Sequence, residues 1–164
     1  MSATSSKSGL FFGIALVALV LDQTTKFAAE AFLADGRVVS VIGEILRFRL
    51  AYNDGAAFSI SFGGTWVLAA ISSVAVLLLL WYGPKAKTPV WSLIAGLVLG
   101  GAAGNWIDRV FKDPAFFSGY VVDFIQIPFN FPIFNLADSF LVIGVGLAVL
   151  RTLRGDEIGG GVAK

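Results

Sequence analysis

Long apolar stretches alternate with shorter polar segments along this chain. An α-helix of about 20 predominantly apolar residues crosses the ~30 Å hydrocarbon core of a bilayer. Apolar stretches of about that length lie at residues 9–28, 65–83, 90–107 and 134–150. The pattern therefore predicts four membrane-spanning helices.

The connection between the second and third helices predicts their orientation. It is very short, Pro84-Lys85-Ala86-Lys87, and short basic connections stay in the cytoplasm. With an even number of spans, both termini are then cytoplasmic, and the long connections at about 29–64 and 108–133 face outward. No small-residue cleavage site follows the first apolar stretch, so we expect a retained helix rather than a signal peptide. Basic residues near the termini agree with this orientation: Lys7, Arg151, Arg154 and Lys164.

The first outward connection has the pattern of β-strands. Basic or small residues alternate with apolar ones from Arg47 to Tyr52, and the run from Val38 to Ile42 is mostly β-branched and followed by Gly43. This favours a hairpin or small sheet on the membrane surface. We predict an all-α membrane protein with a small extracytoplasmic sheet, built as one integral membrane domain over residues 1–164. The glycine-rich end, residues 155–164, is predicted to be a disordered tail.

Composition identifies lipid as the solvent and excludes several kinds of site. The chain is 57% hydrophobic and 14% charged, outside the range of soluble globular proteins. It contains no Cys and no His, which excludes disulfides, Ser-His-Asp triads, HExxH zinc sites and Cys-His nucleophiles. We expect no metal and no cofactor. A net charge of +1 without a basic run gives no indication of a nucleic-acid partner.

The third helix carries a stripe of small residues. Gly96, Gly100 and Gly104 recur at every fourth position and share one face. Such a stripe lets a neighbouring helix approach closely. We interpret it as a packing surface without a role in chemistry.

Polar side chains of three predicted helices lie at a similar depth. At ~1.5 Å per residue, Asp22, Asn105 and Asp138 lie about 20, 22 and 18 Å from the predicted cytoplasmic ends. Polar groups inside a bilayer are costly, so each is a functional candidate. Asp22 and Lys26 are four residues apart and are predicted to form an ion pair. That pair could equally do no more than neutralise two buried charges.

The start of the fourth helix has two interpretations. Asn135, Asp138 and Ser139 share a face, as a functional cluster would. The alternative is an ordinary helix start, in which Asn135 caps the helix and Asp138 interacts with its dipole.

The second outward connection contains a carboxylate in apolar surroundings. Asp123 lies within the segment Val121–Ile125. It is either a functional group or a surface aspartate on a half-buried strand whose Val122 and Phe124 face the membrane. Asp108 and Arg109, before it, could be a solvated helix end.

Five short strings, in this order, resemble the lipoprotein signal peptidases, also called signal peptidase II. Five strings in the family's order, between residues 22 and 139, argue against coincidence. The strings are Asp22-Gln23-Thr24-Thr25-Lys26, Asn53-Asp54-Gly55-Ala56-Ala57-Phe58-Ser59, Gly101-Ala102-Ala103-Gly104-Asn105-Trp106-Ile107-Asp108-Arg109, Val121-Val122-Asp123-Phe124 and Phe134-Asn135-Leu136-Ala137-Asp138-Ser139.

The resemblance implies an intramembrane aspartic endopeptidase. Its substrates would be diacylglyceryl-modified bacterial prolipoproteins, cut before the lipidated Cys of the substrate. In the family, the aspartates that match Asp123 and Asp138 form the catalytic dyad. The resemblance gives a second set of positions a role in binding substrate or shaping the site: Asn53, Gly55, Asn105, Arg109 and Asn135. It gives a third set a supporting structural role: Asp22, Lys26 and Asp108.

The resemblance also implies a location and partners. The expected location is the bacterial inner membrane, with the site toward the extracytoplasmic face. The partners would be prolipoprotein signal peptides and membrane lipid, and we expect a monomer. The aromatic residues near the two aspartates suit either an apolar cover over the site or an interfacial belt. They are Phe116, Phe117, Tyr120, Phe124, Phe129, Phe131 and Phe134.

Two close carboxyl groups can share one proton, so that one activates water while the other protonates a carbonyl oxygen. The sequence does not assign these two roles. The alternative from another class is a non-enzymatic four-helix channel or transporter subunit, whose polar residues line an ion path. The inner halves of the predicted helices are apolar and show no continuous path. A presenilin-like protease would need a GxGD string, and a rhomboid would need His; both are absent.

Overall fold

The computed structural model describes residues 3–55 and 64–160, with side chains from residue 7 onward. Residues 56–59 of the second motif therefore lie outside the described residues. The prediction of four helices is confirmed, and each is long and apolar enough to cross a membrane. The helices are α1 Ala3–Leu33, α2 Thr65–Tyr82, α3 Pro89–Phe111 and α4 Leu136–Leu153. A 3₁₀ turn, Gly83–Lys85, follows α2.

α4 ends three residues beyond its predicted end, at Leu153, and α1 and α3 continue further beyond theirs, toward the same side of the bundle. α1 passes residue 28 because Ala29 and Leu33 pack against a β-sheet. α3 passes residue 107, and its last turn is buried rather than solvated, with Asp108 and Arg109 both in the interior. Apolar and ionic contacts thus extend these helices where hydropathy alone predicts their ends. We call this side of the bundle the sheet end.

A three-stranded antiparallel sheet lies at the sheet end. The predicted hairpin is confirmed as β1 Val39–Ile42 and β2 Leu46–Asn53. A third strand, β3 Val121–Gln126, comes from the second long connection, and the order is β1-β2-β3. Residue Ala51 pairs with Asp123, and Asn53 with Val121, so the end of β2 lies beside the aspartate of β3.

The small-residue face of α3 brings α1 against it. A methyl group added at Gly96 would lie 2.8 Å from the Phe11 carbonyl oxygen, and one at Gly100 would lie 2.8 Å from the Ala15 carbonyl oxygen. The predicted packing surface is confirmed at these positions. At Gly104 the added group would overlap the Asp22 carboxylate, so this glycine makes room for a charge rather than for a helix backbone.

Apolar side chains fill the bundle away from the sheet. Phe11, Ala15, Val76 and Leu99 form a buried cluster among α1, α2 and α3. Other large apolar side chains are exposed on the helix surfaces, as expected for helices whose solvent is lipid. They include Leu16, Leu77, Val142 and Leu153.

The described part of the C-terminal tail differs from the predicted disorder. Residues 155–160 include turns at Gly155 and at Ile158 and Gly159, and the Gly159 carbonyl oxygen accepts a hydrogen bond of 2.7 Å from the Lys87 backbone N–H. Arg151 and Asp156 form an ion pair. These contacts attach the segment to the short α2–α3 connection, which composition alone does not reveal. Residues 161–164 lie outside the described residues.

Candidate active site

The first turn of α4 is built around a reciprocal cap. The Asn135 side-chain oxygen accepts a hydrogen bond of 3.0 Å from the Asp138 backbone N–H. In return, Asp138 Oδ2 accepts one of 3.2 Å from the Asn135 backbone N–H. The N-cap interpretation is therefore confirmed.

The same two side chains also reach into the protein. Asp138 Oδ1 accepts a hydrogen bond of 2.8 Å from Asn105 Nδ2 on α3. Asn135 Nδ2 donates one of 2.6 Å to Asp123 Oδ1 on β3. The cap and the polar cluster are one arrangement, in which Asn135 connects the two aspartates.

Asp123 is buried on β3, with 2% of its surface exposed. The interpretation of a water-facing surface aspartate is therefore wrong, because β3 is buried from Val121 to Ile125. Its Oδ2 accepts a second hydrogen bond, of 3.0 Å, from Asn53 Nδ2. Burial raises the pKa of Asp123 to about 6, the hydrogen bonds from Asn53 and Asn135 oppose the rise, and the charge of Asp138 adds to it.

Arg109 positions the segment that carries Asn53. Its Nη2 donates a hydrogen bond of 2.7 Å to the Gly55 carbonyl oxygen. The Gly55 backbone N–H donates one of 3.0 Å to Asn53 Oδ1, which leaves the Asn53 NH₂ group to face Asp123. The arginine is buried, so the interpretation of a solvated helix end is wrong for it.

A buried ionic cluster lies beside the two aspartates. Lys26 Nζ lies 2.9 Å from Asp22 Oδ2 and 2.9 Å from Asp108 Oδ2, and all three side chains are fully buried. It also donates a hydrogen bond of 2.9 Å to Asn105 Oδ1. The predicted Asp22–Lys26 pair is confirmed, with Asp108 as a second counter-charge rather than part of a solvated helix end.

The two carboxylates of this cluster also bind backbone groups next to the aspartates. Asp22 Oδ1 accepts a hydrogen bond of 2.9 Å from the Ala137 backbone N–H, directly before Asp138. Asp108 Oδ2 accepts one of 3.1 Å from the Val122 backbone N–H, directly before Asp123. The cluster therefore fixes the backbone at both aspartates.

Sequence reasoning gave no role to Gln23. Its Nε2 lies within hydrogen-bond distance of Asp22 Oδ2, Asp108 Oδ1 and the Gly104 carbonyl oxygen, at 3.1–3.2 Å. The side chain thus joins α1 to α3. The sequence feature that could have indicated this role is the position of Gln23 in the first motif, next to Asp22.

The aromatic residues of the second connection do not act as one group. Phe124 and Phe134 pack in the apolar cluster between α1 and the sheet. Phe116 and Phe129 project outward instead. The structure therefore divides this series between a core and an exposed surface.

All ten residues predicted for the site or its support lie in one connected region. Asp123 and Asp138 are surrounded by amide donors, and the ionic cluster lies behind them. Among the described residues, no three acidic side chains gather in a way that could hold a metal ion. The arrangement can hold a proton on one carboxyl group and offer N–H donors to a reacting carbonyl oxygen.

Comparison with known proteins identifies the family. The family model of signal peptidase (SPase) II matches residues 14–154. The chain belongs to the signal peptidase II family. One relative, the lipoprotein signal peptidase of Leifsonia xyli subsp. xyli, is 40% identical over 97% of this chain and 75% of its own length. The lipoprotein signal peptidase of Rhodococcus jostii is 44% identical over 94% of this chain and 77% of its own length. The lipoprotein signal peptidase of Mycobacterium leprae is 43% identical over 90% of this chain and 73% of its own length.

Two solved structures of bacterial membrane enzymes share the fold of this signal peptidase II family member. Both are 32% identical in sequence and cover 89% of this chain. The TM-scores are 0.79 and 0.76, over 88% and 94% of the respective chains. The protein is therefore a multi-pass bacterial membrane protein with the architecture of known membrane enzymes.

Proposed function

We propose that this protein is an aspartic endopeptidase that removes signal peptides from diacylglyceryl-modified bacterial prolipoproteins. Asp123 and Asp138 form the catalytic pair, and cleavage occurs before the lipidated Cys of the substrate. Membership of the signal peptidase II family supports the substrate class. The observation that carries the assignment of the pair is the contact of Asn135 with both aspartates, Asp123 through its amide and Asp138 through its backbone.

The proposed chemistry is hydrolysis by activated water. One carboxylate accepts a proton from water, and the water oxygen forms a bond to the scissile carbonyl carbon. The other, protonated, aspartate donates its proton to the carbonyl oxygen. As the C–N bond breaks, the leaving amine of the Cys takes a proton from one aspartate, and the other aspartate takes a proton from a hydroxyl group of the tetrahedral intermediate. The products are a carboxylic acid and a free amine, and the pair again holds one proton.

The surrounding charges support a shared proton. Among the described residues, four carboxyl groups, from Asp22, Asp108, Asp123 and Asp138, have two buried cations near them, Lys26 and Arg109, and the partly exposed Lys112 lies 4.0 Å from Asp108. One proton held between the catalytic aspartates reduces this excess negative charge. The neutral amides of Asn53, Asn105 and Asn135 add donors without adding charge.

The orientation belongs to the same proposal. The positive-inside rule puts the connection with Lys85 and Lys87 in the cytoplasm, so the sheet end faces outward and the pair lies near the outer surface. A lipid-anchored substrate can then reach it from the outer leaflet, and a monomer is sufficient. The channel alternative is not favoured, because the Phe11–Leu99 cluster fills the bundle on the other side of the site.

The test of the pair is cleavage by purified variants. Asp123→Asn and Asp138→Asn should each abolish turnover of a lipidated precursor while the protein still inserts in the membrane. Asp54→Asn, which changes an exposed aspartate beside Asn53, is the matched control and should cleave normally. Near-normal turnover by either of the first two variants would remove that aspartate from the mechanism.

The substrate class is tested with the wild-type enzyme. A precursor that carries diacylglycerol on its Cys should be cut before that residue, and the same precursor without lipid should remain intact. Equal cleavage of both forms would contradict the proposed requirement for the lipid.

A further inference from the structure

The three asparagines of the site each present their NH₂ group to a carboxylate. Asn53 and Asn135 donate to Asp123, and Asn105 donates to Asp138. An amide can also turn over and present its carbonyl oxygen, which would repel a carboxylate. A neighbour that can only donate fixes the choice, because it must face the amide oxygen.

Backbone groups provide that neighbour for two of the asparagines. The Gly55 N–H donates to Asn53 Oδ1, and the Asp138 N–H donates to Asn135 Oδ1. Asn105 lies in the middle of α3, where backbone N–H groups are used within the helix. Its orientation therefore depends on side chains.

Lys26 is the strongest of those side chains. An ammonium group has three N–H donors and no acceptor, and the three acceptors around Nζ are Asp22, Asp108 and Asn105 Oδ1, each at 2.9 Å. Asn135 Nδ2 also lies 3.1 Å from Asn105 Oδ1. The Asn135 NH₂ group shares its two hydrogens among three acceptors, Asn105 Oδ1, the Val122 carbonyl oxygen and Asp123 Oδ1, and its shortest contact, of 2.6 Å, is with Asp123. It is therefore a weaker neighbour for Asn105 Oδ1 than Lys26 is.

We propose that Lys26 is a positioning residue for the catalytic pair: it fixes the Asn105 amide so that only the NH₂ group can face Asp138. This goes beyond neutralising buried charge, and it rests on the proposed function of Asp123 and Asp138. Without the lysine, the Asn105 amide can turn over, and Asp138 loses its hydrogen bond from α3.

A double-mutant cycle tests whether Lys26 acts through Asn105. All variants also carry Asp22→Asn, which removes one negative charge from the buried ionic cluster. Lys26→Met then removes the positive charge of a cluster that has already lost one of its two negative charges. In this background, Lys26→Met and Asn105→Leu should each lower kcat, by about 100-fold for one lost preorganised donor. KM should change by less than about twofold, because the lost donor faces Asp138 rather than the substrate. The variant with both changes should be no slower than the Asn105→Leu variant.

Two outcomes of the cycle would overturn the proposal. One is a normal kcat for Lys26→Met in the Asp22→Asn background. The other is independent effects, such that the combined variant loses the product of the two separate factors. The Asp22→Asn parent is the control for the charge change, and thermal unfolding of each variant in detergent is measured beside its activity.

A second variant leaves Lys26 unchanged and serves if Lys26→Met does not fold. Asn105→Asp keeps an oxygen for the ammonium group but has no NH₂ group for Asp138. Because the new carboxyl group adds to the negative charge of the site, thermal unfolding of this variant is measured as for the others. The folded protein should be inactive, and a folded, active Asn105→Asp protein would overturn the proposal. Asp123→Asn and Asp138→Asn are assayed in parallel. If these two are active, the proposed function fails; if they are inactive while Lys26→Met is normal, only the role of Lys26 fails.

Discussion

At the scale of single residues, the burial of Asp123 has an energetic cost that depends on pH. Burial raises its pKa from 3.8 to about 6 in the folded protein. Below pH 3.8 the carboxyl group is protonated in both the folded and unfolded states, so it costs nothing. Between 3.8 and 6 the unfolded chain releases the proton while the folded protein keeps it, and the free energy of unfolding falls as pH rises.

We therefore expect Asp123→Asn to gain stability relative to wild type as pH increases. The difference in unfolding free energy between variant and wild type should grow from pH 4 to pH 7 by up to about 3 kcal/mol, from ~1.4 kcal/mol per pKa unit. Thermal unfolding in detergent across this range measures it. Parallel stability curves for the two proteins would show that Asp123 does not carry a raised pKa.

Sequence patterns revealed some residue contacts and not others. Asp22 and Lys26 pair because they are four residues apart on one helix, which a sequence displays directly. The hydrogen bonds from the Ala137 N–H to Asp22 and from the Val122 N–H to Asp108 join segments that are distant in sequence. Their donors are backbone N–H groups, which a side-chain pattern does not distinguish. The motif resemblance marked these carboxylates, but their partners required the fold.

At the scale of elements, hydropathy was sufficient for the helices but not for β3. The four apolar stretches are long and distinct, so their helices were predicted with ends differing by a few residues. β3 is buried on both faces, and its four apolar residues do not alternate regularly with its two polar ones, Asp123 and Gln126, so no strand periodicity separates it from other buried segments. Its pairing with β2 is a tertiary contact, and it is this pairing that brings Asn53 to Asp123.

The contact between α1 and α3 gives a prediction for glycine replacement. A methyl group at Gly100 would lie 2.5 Å from Ala18 Cβ and 2.8 Å from the Ala15 carbonyl oxygen, whereas one at Gly146 on α4 would meet nothing within 4 Å. Gly100→Ala should destabilise the protein by about 1–3 kcal/mol through overpacking. Gly146→Ala should be neutral or stabilising by up to about 1 kcal/mol. Thermal unfolding compares them, and equal stability of the two variants would contradict close packing at Gly100.

At the scale of the whole molecule, the proposed orientation can be tested because the chain has no Cys. Glu44, at the hairpin turn, and Glu157, in the tail, are both exposed and lie at opposite ends of the bundle. In spheroplasts, a membrane-impermeant maleimide should label Glu44→Cys at once. It should label Glu157→Cys only after the membrane is permeabilised. The reverse pattern would invert the topology and move the aspartates to the cytoplasmic side.

The hydrogen bond from the Ala137 backbone to Asp22 joins positions 115 residues apart, in the first and last helices. While the ribosome is still delivering the polypeptide to the membrane, α1 has no such partner, and neither half of the aspartate pair has its full set of neighbours. A protease whose proposed catalytic pair is assembled in this way is inactive throughout its own synthesis. Its first cleavage comes only after the last span has entered the bilayer.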